Sequence, residues 1–153
     1  MTLNIRAATA DDADGVARLA GEFADYLRSL GDTTDFKFNA ETYLRDGFGA
    51  NPAFSGLVAE QGGEVVGYLL YHFGYDADNA ARILHVVDLY VDARARRRGV
   101  GRALMSAAAK AGRETRAVEL FWAVYLPNKM AASFYEGLGA SYTQDLRFMK
   151  LKV

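Results

Sequence analysis

The hydrophobic and polar positions at the start of the chain predict one strand followed by a long helix. Residues 3–8 are predicted as the first strand. Thr9 and Asp12 then resemble a capping box with Asp in place of the usual Glu. Apolar residues recur at helical spacing over about 11–30 and predict an amphipathic helix there, with its apolar side formed by Val16, Leu19, Phe23, Leu27 and Leu30.

A second helix and a β-hairpin are predicted next. Residues 31–39 read as a polar loop that carries two aromatic residues, and a shorter helix is expected over 40–48. Two apolar segments, 55–61 and 64–73, flank the pair Gly62-Gly63. Two glycines between two strand-like segments are typical of a tight hairpin turn.

The centre of the chain predicts a buried strand followed by a helix. Residues 74–81 are expected to form a loop, and the β-branched, mostly apolar segment 83–91 suits a strand covered on both faces. The spacing then becomes helical, and Gly112 is a plausible end for that helix. Its predicted apolar face is built from small residues and consists of Val100, Ala103, Leu104, Ala107, Ala108 and Ala111.

The last part of the chain predicts a strand, a short helix and a final strand. The strands are expected over 117–125 and 140–152, and the helix between them stops near Gly139. The apolar positions of that helix are Ala131, Phe134, Tyr135 and Leu138. The predicted order is β-α-α-β-β-β-α-β-α-β, an α/β fold of the α+β type whose mixed sheet begins antiparallel and ends with a parallel crossover.

The composition is that of a globular protein without bulk charge. A chain of 153 residues favours one domain, expected to span 1–153. Hydrophobic residues make up 51% and charged residues 24%, close to the average of folded domains. The 18 Lys and Arg against 19 Asp and Glu leave a formal net charge of −1, so we expect no nucleic-acid partner.

The residue types present restrict metal chemistry and location. Without cysteine there can be no disulfide, thiolate metal site, Fe–S cluster or cysteine nucleophile. A zinc site would have to use carboxylates beside the only two histidines, His72 and His85, so no metal is expected. The sequence shows neither a signal peptide nor an apolar run near the ~18–20 residues of a membrane span. We therefore expect a cytoplasmic protein with no membrane partner.

The most informative motif lies between the predicted central strand and the following helix. Glycines at a helix N-terminus let backbone N–H groups approach a phosphate, and arginines add charge-assisted contacts. The segment is neither a Walker A loop nor a full dinucleotide fingerprint, because Leu104 stands where the third glycine would be. It predicts a pyrophosphate site formed by Arg96, Arg97, Arg98, Gly99, Val100, Gly101, Arg102 and Ala103.

Two motifs together resemble the GNAT superfamily of N-acetyltransferases. The pattern Arg96-x-x-Gly99-x-Gly101 after 88–91 is similar to its acyl-CoA signature. The later pattern over 128–140, Asn-x-x-Ala-x-x-Phe-Tyr-x-x-x-Gly-Ala, resembles its second motif. The element order matches over nearly the whole chain. Segments 71–75 and 88–91 look closest to the diamine/spermidine acetyltransferase-like branch.

The resemblance implies acetyl-CoA as the acyl donor and a small amine as the acceptor. Pantetheine would pair with the edge of the central strand, which in this superfamily splays from the next parallel strand. Tyr135 matches the tyrosine proposed to protonate the leaving thiolate. The architecture often dimerises, which makes a homodimer an expectation. The other residues expected to bind the cofactor are Leu89, Tyr90, Val91, Asn128, Ala131 and Phe134. Asn128 is equally well explained as a helix N-cap.

The group that deprotonates the acceptor is the open point of this interpretation. The diamine branch usually has a carboxylate where this chain has Val87. Asp88 is the nearest carboxylate and the candidate catalytic base, His85 is the nearest imidazole, and a water chain is a third alternative. By strand parity Asp88 and His85 should face opposite sides of the sheet, so only one should face the cleft.

Two loops suggest a cationic acceptor. Loop 31–39 carries Asp32 and Asp35 beside Phe36 and Phe38, and segment 74–81 adds two more aspartates, Asp76 and Asp78. Carboxylates with aromatic walls suit an amine with a distal ammonium, although loop aspartates also serve simply as turn formers. The alternative function is a catalytically silent acyl-CoA-binding or regulatory module on the same fold.

Overall fold

A computed structural model describes residues 2–153 and divides the chain into two compact units, one ending at Ala123 and one beginning at Val124. The first unit contains five strands: β1 (Leu3–Ala7), β2 (Ser55–Gln61), β3 (Glu64–Asp76), β4 (Ala81–Val91) and β5 (Ala117–Phe121). It also contains the helices α1 (Ala13–Ser29), α2 (Ala40–Gly47) and α3 (Val100–Glu114). The second unit contains α4 (Lys129–Gly137).

The sheet is mixed, as the sequence predicts. Its strand order is β1-β2-β3-β4-β5, and the first four strands are antiparallel neighbours. β4 and β5 are parallel, joined by α3 as the crossover helix. Gly62 and Gly63 turn the β2–β3 hairpin with φ of +60° and +81°, a backbone conformation that side chains disfavour.

One hydrophobic cluster of the first unit lies between α1 and the sheet. Asp12 begins the helical segment by accepting a 2.7 Å hydrogen bond from the Thr9 N–H, which confirms the capping residue. Tyr43 is fully buried, and its hydroxyl donates to the Thr9 carbonyl at 2.8 Å. Tyr43 is therefore a core residue. The other buried side chains of this cluster include Val16, Leu19, Ala20, Val58, Tyr68 and Leu70.

The β3–β4 hairpin is longer than predicted. The loop expected over 74–81 is therefore wrong at both ends, where its residues belong to the strands. Pairing continues to Asp76 and Ala81, because the alternating strand pattern extends past Gly74. Only 77–80 remain as the turn. Asp76 stabilises this turn by accepting hydrogen bonds from the Asp78 N–H at 2.9 Å and the Asn79 side chain at 2.6 Å. Asp76 thus acts as a turn former.

Gly112 does not end α3, contrary to the prediction. The helix continues to Glu114, and Thr115 is its C-cap. A Cβ on Gly112 would lie 3.6 Å from Ala117 and 3.8 Å from Leu84. The small residue therefore serves close packing of the helix on the strands, where a larger side chain would crowd them.

The second unit contains the predicted short helix but not the predicted final strand. Gly139 has φ of +95° just after the C-cap of α4, as expected of a helix stop. Within the described part of the chain, residues 140–152 form no strand. Asp145 interrupts the segment with φ of +61°, outside the extended region that a ladder requires.

Candidate functional site

Asp92 fixes the start of the connection between β4 and α3. Its carboxylate is buried, accepts the Arg94 N–H at 2.9 Å and pairs with the Arg94 guanidinium at 2.7 Å. Arg18 of α1 adds a second guanidinium at 3.4 Å. Chiefly through the Arg94 hydrogen bond, these contacts lower the pKa of Asp92 to about 2. An ionised Asp92 therefore ties the connection to α1 at neutral pH.

The N-terminus of α3 has the features of an anion site. Gly99 is its N-cap with φ of +79°, in the left-handed region, and it provides no capping side chain. A Cβ at Gly99 would meet nothing within 4 Å, so backbone conformation rather than crowding demands glycine. The first-turn N–H groups of a helix lack intrahelical acceptors. These groups could hold a pyrophosphate, and the predicted strand–loop–helix placement of 96–103 is confirmed.

The arginines of this loop divide into two kinds. Arg96 is partly buried, with its guanidinium over Tyr90 at 5.2 Å and over Tyr26 at 5.6 Å. Its Nε also donates to the Val91 carbonyl at 3.1 Å, so Arg96 braces the loop against β4. The exposed guanidinium groups available to a phosphate are those of Arg97, Arg98 and Arg102. Sequence alone did not separate Arg96 from its neighbours.

β4 runs on beyond its pairing with β5. The parallel ladder ends with His85 opposite Phe121, whereas β4 continues to Val91. Within residues 2–123, the far part of β4 therefore has β3 as its single strand neighbour. The residues predicted to pair with pantetheine, Leu89, Tyr90 and Val91, lie on this part of the strand. Their role as a pseudo-strand edge stays a prediction.

A β-bulge at Val87 overturns the parity expectation for Asp88 and His85. In the β3–β4 register Leu70 pairs with Asp88 and Tyr71 with Val86, so Val87 has no partner. Leu84 faces α3, with its Cβ 3.8 Å from the Cβ position of Gly112, and the next residue, His85, faces the opposite side. Asp88 lies on that same opposite side, because it lines a cavity with α1. The extra residue in the bulge reverses the alternation.

Asp88 accepts a short hydrogen bond from a core tyrosine. The Tyr68 hydroxyl donates to Asp88 Oδ2 at 2.6 Å. Loss of hydration is the main influence on Asp88 and raises its pKa from 3.8 to about 6, although the Tyr68 hydrogen bond acts in the other direction. The same burial and the adjacent carboxylate hold the pKa of Tyr68 well above its usual value. Asp88 is thus a carboxylate poised to change protonation near neutral pH.

The cavity in front of Asp88 has a volume of about 310 Å³. α1 lines one wall and loop 31–39 lines the other. Phe36 is 40% exposed and belongs to the wall, whereas Phe38 both lines the cavity and packs on Tyr43. The charged side chains around the cavity are Arg28, Asp32, Asp35, Lys37 and Asp88. Asp76 and Asp78 do not line it.

His72 and His85 form a hydrogen-bonded pair across β3 and β4. They are register partners, with His85 Nδ1 2.9 Å from His72 Nε2 and ring centroids 4.7 Å apart. His85 also packs at 5.8 Å against the Phe121 ring of β5. The sequence held no signal for this pair. The two histidines are 13 residues apart, and only the register of β3 and β4 places them opposite each other.

The second unit carries the other predicted site residues. Asn128 is buried and its Oδ1 accepts the Ala131 N–H at 3.2 Å, which confirms it as the N-cap of α4. The rings of Phe134 and Tyr135 lie 5.4 Å apart. The cofactor-binding roles of Asn128, Ala131 and Phe134 and the acid role of Tyr135 stay predictions.

Residues 2–153 contain no cluster of three or more His, Asp or Glu side chains arranged to hold a metal ion. In the same range, none of the helices has both the length and the apolar character to cross a bilayer.

The parallel ladder between β4 and β5 ends beside α3, whose N-cap is a glycine. These features define an α/β protein with a glycine-capped strand–loop–helix. The model of the Acetyltransferase (GNAT) family matches residues 21–140. The chain therefore belongs to the GNAT family and is an N-acetyltransferase.

A relative supports this assignment, and two solved structures share the fold. The chain is 35% identical over 150 residues to a thialysine N-epsilon-acetyltransferase of Bos taurus, covering 93% of this chain and 84% of that protein. An integron cassette protein from the mobile metagenome of V. cholerae has the same fold, with a TM-score of 0.82 and 21% identity over 100% of this chain and 94% of that one. A ribosomal-protein-alanine N-acetyltransferase of Brucella melitensis gives a TM-score of 0.79 at 18% identity over 98% and 100% of the two chains.

Proposed function

We propose that the protein transfers the acetyl group of acetyl-CoA to the primary amine of a small cationic acceptor, by direct attack within a ternary complex. The observation that carries the proposal is the cavity in front of Asp88, which combines carboxylates with an aromatic wall. Such a site suits an ammonium on an apolar stem. The similarity to an enzyme named for thialysine, an amine with additional charged groups, supports the same class of acceptor.

The donor site is proposed at the N-terminus of α3. The backbone N–H groups of Val100, Gly101 and Arg102 would bind the pyrophosphate, with the exposed arginines adding charge. Gly99 begins the helix in a left-handed conformation, with φ of +79°, that a glycine adopts readily. The edge of β4 at Leu89, Tyr90 and Val91 would bind the pantetheine arm. Asn128, Ala131 and Phe134 are proposed to contribute to donor binding.

Two side chains are proposed to act in catalysis. Asp88 would bind the ammonium of the acceptor in the cavity, and its perturbed pKa supports a catalytic position. Tyr135 would donate a proton to the departing thiolate. Acetyl transfer to an amine needs a polarised carbonyl, a neutral amine and a proton for the leaving group, but no protein nucleophile. The absence of cysteine is compatible with this chemistry.

The alternative is a silent acyl-CoA-binding module, and the observation that favours it is Val87. The position where related sequences carry a carboxylate is here an exposed valine in the β-bulge. Such a module would bind acetyl-CoA without turnover. Location in the cytoplasm, assembly as a homodimer and a single domain over 1–153 also remain proposals.

A screen of amines with acetyl-CoA, read by thiol release, tests the proposal. The panel would contain thialysine, linear diamines and polyamines, neutral amines, and amines carrying an extra carboxylate. We expect turnover with cationic acceptors and a KM that rises with ionic strength, because salt screens exposed charges. Calorimetric binding of acetyl-CoA without turnover across the panel would establish the silent module instead.

A further inference from the structure

The tautomer of His72 that lets Nδ1 donate to the Phe73 carbonyl gives the His72–His85 pair a direction of hydrogen bonding. His72 Nδ1 lies 3.4 Å from the Phe73 carbonyl oxygen, which can only accept. A neutral His72 with its proton on Nδ1 has a lone pair on Nε2, the atom 2.9 Å from His85 Nδ1. His85 Nδ1 must then be the donor. This chain of bonds leaves the lone pair of His85 on Nε2, so the pair presents a basic nitrogen at one end.

The position of His85 relates it to both proposed substrates. It is the last residue of β4 paired with β5, where the parallel ladder ends and the proposed donor edge begins. Because of the bulge at Val87, Asp88 lies on the same face as His85. It occupies the position that the second residue along a regular strand would have. Such neighbours lie roughly 7 Å apart along a strand. An amine nitrogen between the two could hydrogen-bond to both.

We propose that His85 Nε2 accepts the proton of the acceptor ammonium and that His72 relays it to solvent, while Asp88 anchors the same nitrogen. The proposal rests on the proposed function and names its base. His72 is exposed, whereas His85 is partly buried, so the relay leads from the less exposed imidazole to water.

The proton and electron count of the reaction is balanced by this relay. The ammonium gives one proton to His85 Nε2, and His85 Nδ1–H passes one to His72 Nε2. His72 then releases one proton to water. The neutral amine nitrogen forms the C–N bond with the thioester carbon, and the C–S bond breaks with its electron pair on sulfur. The second proton lost by nitrogen as the amide forms balances the one that the thiolate receives.

Burial beside His72 favours the neutral, proton-accepting form of His85. Desolvation lowers the pKa of His85, and the positive charge available on His72 lowers it further. The facing residue of β5, Phe121, carries no charge. On β4 the ionisable neighbour on the same face is Asp88. The cavity beyond it adds Arg28, Asp32, Asp35 and Lys37. His85 is therefore ready to accept a proton at neutral pH.

A kinetic experiment with two acceptors tests the role of His85. The acceptors share one carbon skeleton, but β-fluorination in the second lowers the pKa of its amine below neutrality, so it needs no base. His85→Asn keeps a donor near the position of Nδ1 and removes the basic nitrogen. We expect kcat/KM to fall about 10²-fold or more for the ordinary acceptor. For the fluorinated acceptor it should change less than about threefold.

Asp88→Asn is the matched comparison. An anchoring carboxylate acts on binding of the ammonium, so this variant should raise the KM for the ordinary acceptor and leave its kcat nearly unchanged. Equal losses for both acceptors in His85→Asn would reduce His85 to a structural residue. A fall in kcat for the ordinary acceptor alone in Asp88→Asn would make Asp88 the base. Absence of turnover in the wild type would instead reject the proposed function.

A second experiment follows the relay by NMR titration. The chain has two histidines, so His72→Gln leaves a single imidazole to assign. Gln keeps an acceptor near the position of Nε2 but carries no charge and relays no proton. We expect the pKa of His85 to rise in this variant and the acidic limb of the kcat/KM profile to shift with it. An unchanged His85 titration together with an unchanged pH profile would overturn the relay.

Discussion

The hydroxyl of Tyr68 donates a 2.6 Å hydrogen bond to Oδ2 of Asp88, joining β3 to β4 on the α1 side of the sheet. Tyr68 is fully buried, whereas Asp88 lines the cavity. The bond therefore connects the hydrophobic core to the candidate acceptor site. It orients a carboxylate whose ionisation the fold itself disfavours.

Asp88→Asn should make the protein more stable and less active. Burial raises the pKa of Asp88 from 3.8 to about 6, so the folded state binds this proton more tightly than the unfolded state. The cost of the ionised carboxylate is then present above about pH 6 and disappears as the pH falls towards 4. We expect the variant to gain up to about 3 kcal/mol of unfolding free energy at pH 8. Urea unfolding across this range measures the difference.

The control for this prediction is Tyr68→Phe. It removes the hydrogen bond that lowers the pKa of Asp88, so that pKa should rise further. If Asp88→Asn instead destabilises the protein equally at pH 4 and pH 8, the ionised carboxylate contributes no cost and the predicted sign is wrong.

Gly101→Asp should weaken donor binding without harming the fold. A carboxylate in the first turn of α3 interacts favourably with the helix dipole, by about 0.3–1 kcal/mol. The same carboxylate would occupy the N–H groups proposed for the pyrophosphate and repel it. We expect acetyl-CoA affinity to fall by about 10–100-fold, measured by calorimetry. Gly101→Ala, which adds no charge, should bind nearly as the wild type. Equal affinity of the Asp variant would exclude this helix as the phosphate site.

Tyr135→Phe should lower kcat while leaving the KM for acetyl-CoA nearly unchanged. The substitution keeps the ring beside Phe134 and removes only the hydroxyl. Loss of a general acid costs about 10²–10⁴-fold in kcat. Tyr142→Phe is the control, because Tyr142 is an exposed tyrosine of the same unit. Steady-state kinetics in which the two variants behave alike would leave Tyr135 a packing residue.

Asp35→Asn should raise the KM for a cationic acceptor more than Asp32→Asn. Asp32 already accepts the N–H and the hydroxyl of Thr34, at 3.0 and 2.7 Å. Asp35 has a looser ion pair, 3.9 Å from Lys37. Exposed charge pairs contribute about 0.2–1 kcal/mol, which corresponds to an increase of about 1.5–5-fold in KM.

Asp78→Asn is the matched control for this comparison, since Asp78 is an exposed loop carboxylate outside the cavity. Its KM should stay at the wild-type value at all salt concentrations. Equal effects on KM at Asp35 and Asp78 would mean that the surface charge of the protein attracts the acceptor, rather than a contact in the cavity.

The features that sequence predicted correctly are those with a local physical cause. The Gly62-Gly63 turn, the cap at Asn128 and the helix starting after Gly99 each depend on a few neighbouring residues. Backbone conformation at glycine and hydrogen bonds over three residues need no knowledge of the rest of the chain. The loop of 96–103 could therefore be located before its surroundings were known.

The features that sequence missed depend on which segments meet. The predicted strand over 140–152 and the predicted helix end at Gly112 used local patterns correctly, but a strand needs a ladder partner and a glycine can serve packing as well as termination. Arg96 looked like its neighbours, and only the rings of Tyr26 and Tyr90 distinguish it.

The sequence by itself determined the family and the order of elements as far as α4, and it named the residues proposed for acetyl transfer. The tertiary structure decided how those residues are arranged. The bulge at Val87 brings Asp88 and His85 to one face, and strand register joins His85 to His72. Neither follows from periodicity, because an inserted residue reverses side-chain alternation and register is set by the packing of whole strands.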